Sequence, residues 1–376
     1  MERSMWLKAA LLLCCFFLVS GGRDINVKHK GHVDIYNHTL ATILVEYASA
    51  VYMSDLTELF TWTCSRCTDK TEGFEIIELI VDVQNCLQAF VGVDSNLNSI
   101  VIAFRGTQEH SIQNWVEDLF WKQLDLNYPE VSDAMVHHGF YSAYHNTTMR
   151  PGILNAVNMA KKFYGDIGII VTGHSMGGAM ASFCALDLAV NQCEDNVQLM
   201  TFGQPRIGNA AFASYFSKNV PKTVRVINEH DMVPHLPPFY TYFPQKTYHH
   251  FPREVKVTFP ISPFFADRYN CFTNSQVWLY NVGYGSLVYT VEKVCDGSGE
   301  DPSCSRSVPG TSISDHLAYF GVELQARTWR SCGIVMAENM MKYRTDLNGS
   351  FVLSREPLAT PVLKLKGETE TAVLSV

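Results

Sequence analysis

Residues 171–181 read VTGHSMGGAMA, and this stretch decides the fold. The apolar run at 167–172 has the length of a buried strand, and residues 179–190 have the small and apolar composition of a packed helix. Between them lies Gly173-His174-Ser175-Met176-Gly177, a G-x-S-x-G pattern at a strand-to-helix turn. Glycine permits a tight turn that bulky side chains would block, so the pattern predicts a serine presented at the carboxyl end of a strand.

The turn has two interpretations. Backbone N–H groups at the start of the following helix stabilise developing negative charge, which favours Ser175 as a nucleophile. The alternative is a glycine-rich packing turn, because Gly178, Ala179 and Ala181 also suit close contact between a helix and a sheet.

The elements around this turn predict an α/β fold. Apolar periodicity predicts helices over 38–54 and 150–164, and strands over 75–83, 87–93, 99–104, 198–202 and 223–227. Strand and helix alternate through the centre of the chain, which indicates a mainly parallel central sheet with flanking helices.

Length and charge restrict the possible partners. The chain has 376 residues, of which 47% are hydrophobic, enough for one large domain or two small ones. The net charge of −8 argues against a nucleic-acid partner, and no polybasic run is present to hold an anionic membrane. The adjacent His249 and His250 suggest a metal, but no carboxylate or cysteine spacing supports one. We therefore predict neither metal nor cofactor, and the sequence does not indicate an oligomeric state.

The N-terminus predicts export. A basic start, an apolar run of about twelve residues (AALLLCCFFLVS) and small residues near Gly22 predict a secretory signal peptide over 1–22. The run is too short to span a bilayer, although an uncleaved anchor is the alternative, and no other stretch predicts a transmembrane span. The expected location is the secretory pathway: extracellular, or the lumen of the vacuole or endoplasmic reticulum.

Nine cysteines follow the predicted signal peptide, and the oxidising environment of the secretory pathway favours their pairing in disulfides. Cys64 and Cys67 indicate a short disulfide, because no second CxxC or histidine pair completes a zinc site. Cys295 and Cys304 bracket a polar loop and indicate another. The odd total leaves one cysteine unexplained. Glycosylation sequons occur at Asn37, Asn146 and Asn348.

A nucleophilic serine needs a base and an acid that orients it, in the chain order serine, acid, histidine. Glu229 and Asp231 follow the strand predicted over 223–227, and Asp231 lies where the loop leaves that strand. His316 stands in SISDHLAYF, at the expected late position. His235, four residues beyond Asp231, is interpreted as structural, and Asp315 as a cap or a solvated residue.

Five separated blocks between about residues 35 and 330 resemble the class 3, fungal-type triacylglycerol lipases in their plant secretory form. The blocks are IAFRGT, SIQNWVEDL, VTGHSMGGAMA, TFGQPRIGN with DMVPHLPP, and DHLAYF. The resemblance implies an α/β-hydrolase fold over 23–335, which leaves 336–376 as a C-terminal extension. The residues from Glu356 onward have no convincing period, and we expect them to form a loosely held tail. It implies a triad of Ser175, Asp231 and His316, and an oxyanion hole formed by Thr107 and the Met176 amide.

A lid is expected over 111–121, SIQNWVEDLFW. Its apolar residues fall on one face of a short amphipathic helix: Ile112, Trp115, Val116, Leu119 and Phe120. An ordinary surface helix is the alternative. The position after the oxyanion strand and the resemblance favour a helical lid that opens at an oil–water or membrane interface, with interfacial activation.

One stretch departs from the family. PREV at 252–255 should continue directly into a strand that begins with tryptophan, yet Trp278 comes 22 residues late. Removing Val255–Gln276 restores the pattern and also removes Cys271, which leaves an even number of cysteines. Because a valine codon begins GT and a glutamine codon can end AG, we hypothesise a retained intron or gene-model artefact. The alternative is a genuine surface loop.

The function implied is that of a secreted serine esterase that hydrolyses triacylglycerol through an acyl-enzyme. Phospholipase A1 or another carboxylic ester hydrolase would use the same machinery. A non-catalytic lipase-like signalling protein is the alternative from another class. The expected partner is therefore a lipid or ester substrate.

Overall fold

A computed structural model describes residues 36–107, 123–126, 131, 133–239, 247–261, 276–281, 289–302, 304, 306, 310–325, 333–347 and 349–355. The chain divides into a main unit, residues 34–256 with 294–376, and a minor unit, residues 1–33 with 257–293. The predicted signal peptide, the predicted lid and the tail from Glu356 lie outside the described residues.

The described helices and strands are named in chain order. The helices are α1 (His38–Ala50), α2 (Leu56–Phe60), α3 (His138–His145), α4 (Met149–Tyr164), α5 (Met176–Asn191) and α6 (Ala210–Asn219). The strands are β1 (Glu75–Asp82), β2 (Leu87–Asp94), β3 (Ser99–Phe104), β4 (Gln123–Asp125), β5 (Met135–His137), β6 (Gly168–His174), β7 (Val197–Phe202), β8 (Lys222–Asn228), β9 (Glu254–Ile261), β10 (Gln276–Asn281), β11 (Tyr289–Val294), β12 (Ala318–Tyr319), β13 (Val322–Glu323), β14 (Arg344–Leu347) and β15 (Ser350–Ser354). Short 3₁₀ helices cover Asp69–Thr71, Val233–His235 and Glu338–Tyr343.

The main unit is built on one twisted sheet whose strand order includes β8-β7-β6-β3-β2-β1-β15-β14. Strands β3, β6, β7 and β8 are parallel, and the others pair antiparallel. The register sets His174 opposite Phe202. The ends of β6, β7 and β8 therefore meet at one edge of the sheet, and the predicted α/β class with parallel central strands is confirmed.

The element bounds differ little from the prediction in the core and more at its margins. The first predicted helix ends at Ala50 rather than residue 54, and the nucleophile helix begins at Met176 rather than residue 179. The sequence pattern did not indicate α3 or α6, which are short helices of 8 and 10 residues. It also missed that β15 pairs with β1 and is buried along its length, although 336–376 had been expected to form an extension.

The core surrounds the parallel strands on both faces. Helix α5 is buried along most of its length against β6 and β7, which explains why its apolar residues show no one-sided period. Helix α4 packs against the β1–β2 side and buries a single face that includes Ile153, Ala156 and Ala160.

The minor unit contains strands in the order β10-β11-β9. Strand β9 contains Val255 and strand β10 contains Gln276, the two ends of the atypical stretch, whereas residues 262–275 lie outside the described part of the chain. The retained-intron hypothesis stays a prediction. A tryptic peptide that joins Glu254 to Val-Trp would support removal of the stretch, and one from within 257–268 would refute it.

Both predicted disulfides are confirmed, Cys64–Cys67 and Cys295–Cys304. Cys86 is also disulfide-bonded. The described cysteines include two free thiols, the buried Cys184 and the exposed Cys193, so pairing is less complete than expected. Cys184 faces the core from α5 as a small apolar residue, and burial raises the pKa of its thiol. Among the described residues, no helix is both long and apolar enough to cross a membrane.

Candidate active site

Ser175 occupies a strained turn between β6 and α5. Its backbone has φ 57° and ψ −128°, a region that non-glycine residues rarely adopt, and its N–H donates to the Phe202 carbonyl over 3.0 Å. A Cβ at Gly173 would lie 2.4 Å from the Gly177 carbonyl oxygen, and one at Gly177 would lie 2.2 Å from that of Phe104. Glycine at both positions therefore permits the turn and the close packing of α5 on β3, so the two interpretations of the motif are compatible.

Asp231 and His316 form a buried pair. His316 Nδ1 lies 2.9 Å from Asp231 Oδ2, and both side chains are fully buried. The Tyr319 hydroxyl donates to the same Oδ2 over 2.5 Å, and the Val233 backbone N–H donates to Oδ1 over 2.9 Å. A carboxylate only accepts hydrogen bonds, so His316 Nδ1 must carry the proton in this contact. The three donors together hold the Asp231 carboxylate in one orientation.

Backbone contacts bring the acid and the base together from distant parts of the chain. Asp231 forms a β-bridge with Ser312, and the N–H of Met232 donates to the Ser312 carbonyl over 3.3 Å. The loop after β8 is thereby paired with the loop that precedes His316. Asn228 adds a side-chain hydrogen bond of 3.0 Å to the carbonyl of Ala318, just beyond His316.

The serine lies beside this pair. A Cβ on Gly203, the residue after Phe202, would lie 2.9 Å from His316 Nδ1 and 2.7 Å from Asp231 Oδ2. Within the described residues, Ser175 Oγ and His316 Nε2 are both buried without a hydrogen-bond partner. A hydroxyl, an imidazole and a carboxylate therefore meet at one end of the parallel strands, and this combination can activate a serine for acyl transfer.

The two predicted oxyanion residues flank the serine. The Thr107 hydroxyl contacts Met176 Sδ at 3.6 Å, which joins the loop after β3 to the first residue of α5. A Cβ on Gly106 would lie 3.1 Å from Ser175 Cβ. The five lid residues Ile112, Trp115, Val116, Leu119 and Phe120 lie outside the described part of the chain.

The remaining candidate histidines have structural contacts. The His235 carbonyl accepts a hydrogen bond from Arg206 over 2.7 Å, and the buried His250 donates from Nε2 to the Pro234 carbonyl over 2.8 Å. His249 Nδ1 donates to the His250 carbonyl. In the described part of the chain, the one group with metal-ligand geometry is Glu254 with Cys295 and Cys304, whose sulfurs are joined in a disulfide.

Asp315 accepts a hydrogen bond from the His230 N–H over 3.1 Å. Glu229, the alternative acid, has a positive φ of 41° in the turn after β8.

Three residues near the site were missed by sequence reasoning. Tyr319 contacts Asp231, and burial together with the Asp231 charge raises the pKa of Tyr319 well above its usual value, so that it remains a donor. His174 contacts the Tyr52 hydroxyl and the main-chain carbonyl of His316, and the Tyr52 hydroxyl packs closely against Gly106. His174 was visible only as a variable position of the motif, and no local pattern marks Tyr52 because it lies 122 residues away from its partner.

Comparison with known proteins places this arrangement among lipases. The family model described as Lipase (class 3) matches residues 101–241. The lipase of Rhizomucor miehei is 34% identical over 267 residues, which are 70% of this chain and 62% of that sequence. A secreted mono- and diacylglycerol lipase 1 of Fusarium solani is 28% identical and covers 65% of this chain, and the match spans 63% of its own length. The chain thus spans less than two thirds of these curated relatives.

The solved structures agree with the sequence comparison. The structure of Rhizomucor miehei triacylglyceride lipase superposes with a TM-score of 0.59 and 32% identity. The superposition covers 78% of this chain and 98% of that one.

Proposed function

Because this chain belongs to the class 3 lipase family, we propose that it is a serine-dependent carboxylic ester hydrolase whose substrates are acylglycerols, triacylglycerol first among them. The observation that carries the proposal is the buried contact of 2.9 Å between His316 and Asp231, beside a serine on a strained strand-to-helix turn. A packing turn alone would need neither the acid nor the base.

The first half of the proposed reaction forms an acyl-enzyme. His316 Nε2 accepts the Ser175 proton while Oγ attacks the ester carbonyl carbon, and Asp231 stabilises the imidazolium that results. The Met176 amide and Thr107 donate to the carbonyl oxygen as it becomes negative. When the intermediate collapses, the carbon–oxygen bond breaks and the imidazolium proton goes to the departing alcohol.

The second half releases the fatty acid. Water gives a proton to His316 and attacks the acyl-enzyme carbonyl, and the second tetrahedral intermediate then expels Ser175 Oγ, which regains the proton. The serine, the histidine and the acid return to their starting protonation states, so that no cofactor or metal enters the balance.

A fluorophosphonate probe and an ester panel test the proposal together. Wild-type protein should be labelled and should hydrolyse at least one of triacylglycerol, phospholipid and short-chain esters, whereas Ser175→Ala should be neither labelled nor active. Circular dichroism provides the control that the variant is folded. Hydrolysis by Ser175→Ala at the wild-type rate would refute the assignment of the nucleophile.

The same panel separates the remaining alternatives. Phospholipid hydrolysis in preference to triacylglycerol would favour phospholipase A1. Mono- and diacylglycerols, for which the Fusarium relative is named, form a fourth substrate class in the panel. Folded wild-type protein that is neither labelled nor active on any ester would favour the non-catalytic signalling protein.

We also propose interfacial activation by a lid over 111–121, supported by the amphipathic pattern of this segment. The rate should rise more steeply once a short-chain ester exceeds its solubility limit, and Trp115→Ser should weaken that rise while leaving hydrolysis of the dissolved ester unchanged. A smooth hyperbola through the limit would contradict the lid.

Secretion is the final part of the proposal. It is supported by the signal-peptide pattern, the two disulfides, and the exposure of the sequon residues Asn37 and Asn146. Protein recovered from the medium should begin near residue 23 and should lose mass on treatment with a glycosidase. An intact N-terminus on a membrane-bound product would favour the uncleaved anchor.

A further inference from the structure

A buried hydrogen-bond chain runs behind the serine. The Tyr52 hydroxyl lies 2.7 Å from His174 Nδ1, and His174 Nε2 lies 2.8 Å from the main-chain carbonyl oxygen of His316. At its other end the Tyr52 hydroxyl lies close to Gly106, where an added Cβ would be 2.2 Å from the hydroxyl oxygen. Both side chains are buried, and the rings of His174 and His316 lie 4.3 Å apart between centroids. None of the catalytic steps proposed above uses Tyr52 or His174.

The chemistry of the partners determines which atom donates in each of these hydrogen bonds. A carbonyl oxygen only accepts, so His174 Nε2 must carry a proton. Burial and the neighbouring His316 lower the pKa of His174 well below its usual value, which keeps the imidazole neutral and leaves Nδ1 as an acceptor. Tyr52 O–H therefore donates to His174 Nδ1.

The residues around Tyr52 hold its backbone in place. Gln88 Nε2 donates to the carbonyls of Val51 and Met53, on either side of Tyr52, over 2.9 and 3.0 Å. The Gln88 carbonyl accepts the N–H of Arg105 over 2.9 Å. Strand β2 thus anchors both the tyrosine and the residue that precedes Gly106.

Three separate segments of the protein meet at this series of hydrogen bonds. Gly106 adjoins Thr107, His174 adjoins Ser175, and the carbonyl belongs to His316 itself. A Cβ on Gly106 would lie 2.2 Å from the Tyr52 hydroxyl oxygen and 2.5 Å from the His174 carbonyl oxygen. The segment that carries Thr107 is therefore packed tightly against Tyr52 and the end of β6.

We propose that Tyr52 and His174 are positioning residues that align the oxyanion loop and the His316 main chain with Ser175. The inference rests on the proposed hydrolase function and adds to it two residues that act through Gly106, Ser175 and His316 rather than on the ester itself. Misalignment of the three segments would raise the barrier for attack on the ester without changing the surface that binds the acyl chain.

Tyr52→Phe tests the hydrogen-bond network by removing only the Tyr52 hydroxyl. The matched control is Tyr47→Phe, because the Tyr47 hydroxyl also makes a buried hydrogen bond of 2.7 Å, but to Asp94, which pairs with Ser99 at the end of β3 remote from Gly106. The measurements are kcat and KM on a dissolved p-nitrophenyl ester and the rate of inactivation by a fluorophosphonate, well below the melting temperature of every variant.

Tyr52→Phe should lower kcat and the inactivation rate by about tenfold, with KM within about twofold of wild type. Tyr47→Phe should lower the melting temperature while keeping wild-type kcat. Wild-type kcat in Tyr52→Phe would overturn the inference, and so would an equal loss in Tyr47→Phe, since the effect would then follow stability. If wild-type protein itself has no activity, the proposed function fails instead, so the two failures are distinguishable.

A second comparison uses His174. Gln retains a donor at the position of Nε2, whereas Leu removes both hydrogen bonds. His174→Gln should therefore keep a kcat about tenfold above that of His174→Leu. Equal rates in two folded variants would contradict a role for the His316 carbonyl contact, and if His174→Leu does not fold, the two tyrosine variants decide alone.

Discussion

The hydroxyl of Tyr319 donates over 2.5 Å to the oxygen of Asp231 that faces His316. Tyr319 and Asp231 are both buried, so this hydrogen bond is not shared with solvent. The tyrosine lies three residues after the histidine and crosses back to the same carboxylate, which closes a small ring of contacts around Asp231. The orientation of the acid therefore depends on Tyr319 as well as on its own loop.

Tyr319→Phe should lower kcat by about five- to tenfold, because the carboxylate loses one of its buried donors and gains freedom to rotate. Asp231→Asn should cost far more, on the order of 10⁴-fold, because the amide disfavours the tautomer that the base needs. Steady-state kinetics on a dissolved ester measures both. Equal losses in the two variants would contradict a merely orienting tyrosine.

Gly203→Ala should reduce activity by at least about a hundredfold, because the added Cβ would lie within 3 Å of both Asp231 and His316. Gly165→Ala is the matched control: Gly165 also has a positive φ, of 81° against 58°, but nothing lies within 4 Å of its Cβ position. The control should lose stability and keep wild-type kcat. Similar kcat values in the two variants would show that the close approach is unimportant.

Ser175→Gly should be more stable than Ser175→Ala by about 1 kcal/mol, the reverse of the usual order of these residues. Glycine adopts the backbone of Ser175 without strain, and alanine does not. Urea unfolding of both inactive variants measures the difference. A more stable alanine variant would mean that the turn stores no strain.

Glu300→Ala should lower the free energy of unfolding by about 3–5 kcal/mol, because it leaves the Arg206 guanidinium buried without its carboxylate. Both side chains are only 4% exposed. Burial by itself raises the pKa of Glu300, but the Arg206 charge outweighs it and the pKa lies below its usual value. In the control, Asp346→Ala breaks the exposed pair with Arg344 and should cost at most about 1 kcal/mol. Equal costs would contradict the role of burial.

The protein should lose stability as the pH falls below about 6.5, where unfolded histidine takes up a proton. Burial, then the Arg225 and Arg206 charges, lower the pKa of His250 well below this value. Between the folded and unfolded pKa values of His250, the unfolded state binds one more proton than the folded state. The free energy of unfolding therefore decreases as the pH is lowered through this range. Over the whole interval from pH 7.5 to 5.5, His250 should account for about 1.4 kcal/mol of the loss, and His250→Gln should remove that amount, as measured by urea unfolding at both pH values. An unchanged slope would contradict a neutral His250 in the fold.

The local elements around the nucleophile could be predicted because their cause is local. Buried strands and the helix after Ser175 are continuous apolar runs, and glycine at 173 and 177 is required by contacts within the turn and with the adjoining strand. The sequence order of serine, acid and histidine then indicated Asp231 and His316. These two residues lie 85 positions apart, and their 2.9 Å contact depends on how two loops pair.

The sequence by itself determined the α/β class, the strand-turn-helix of Ser175 and the two short disulfides, because each depends on residues close together in the chain or on a regular apolar period. Only the tertiary structure decided which side chains surround the serine. Tyr52, His174 and Tyr319 converge there because parallel strands end at one edge of the sheet and their loops meet. A hydrogen bond across such a distance leaves no periodic trace, since it constrains one atom of one residue at each end.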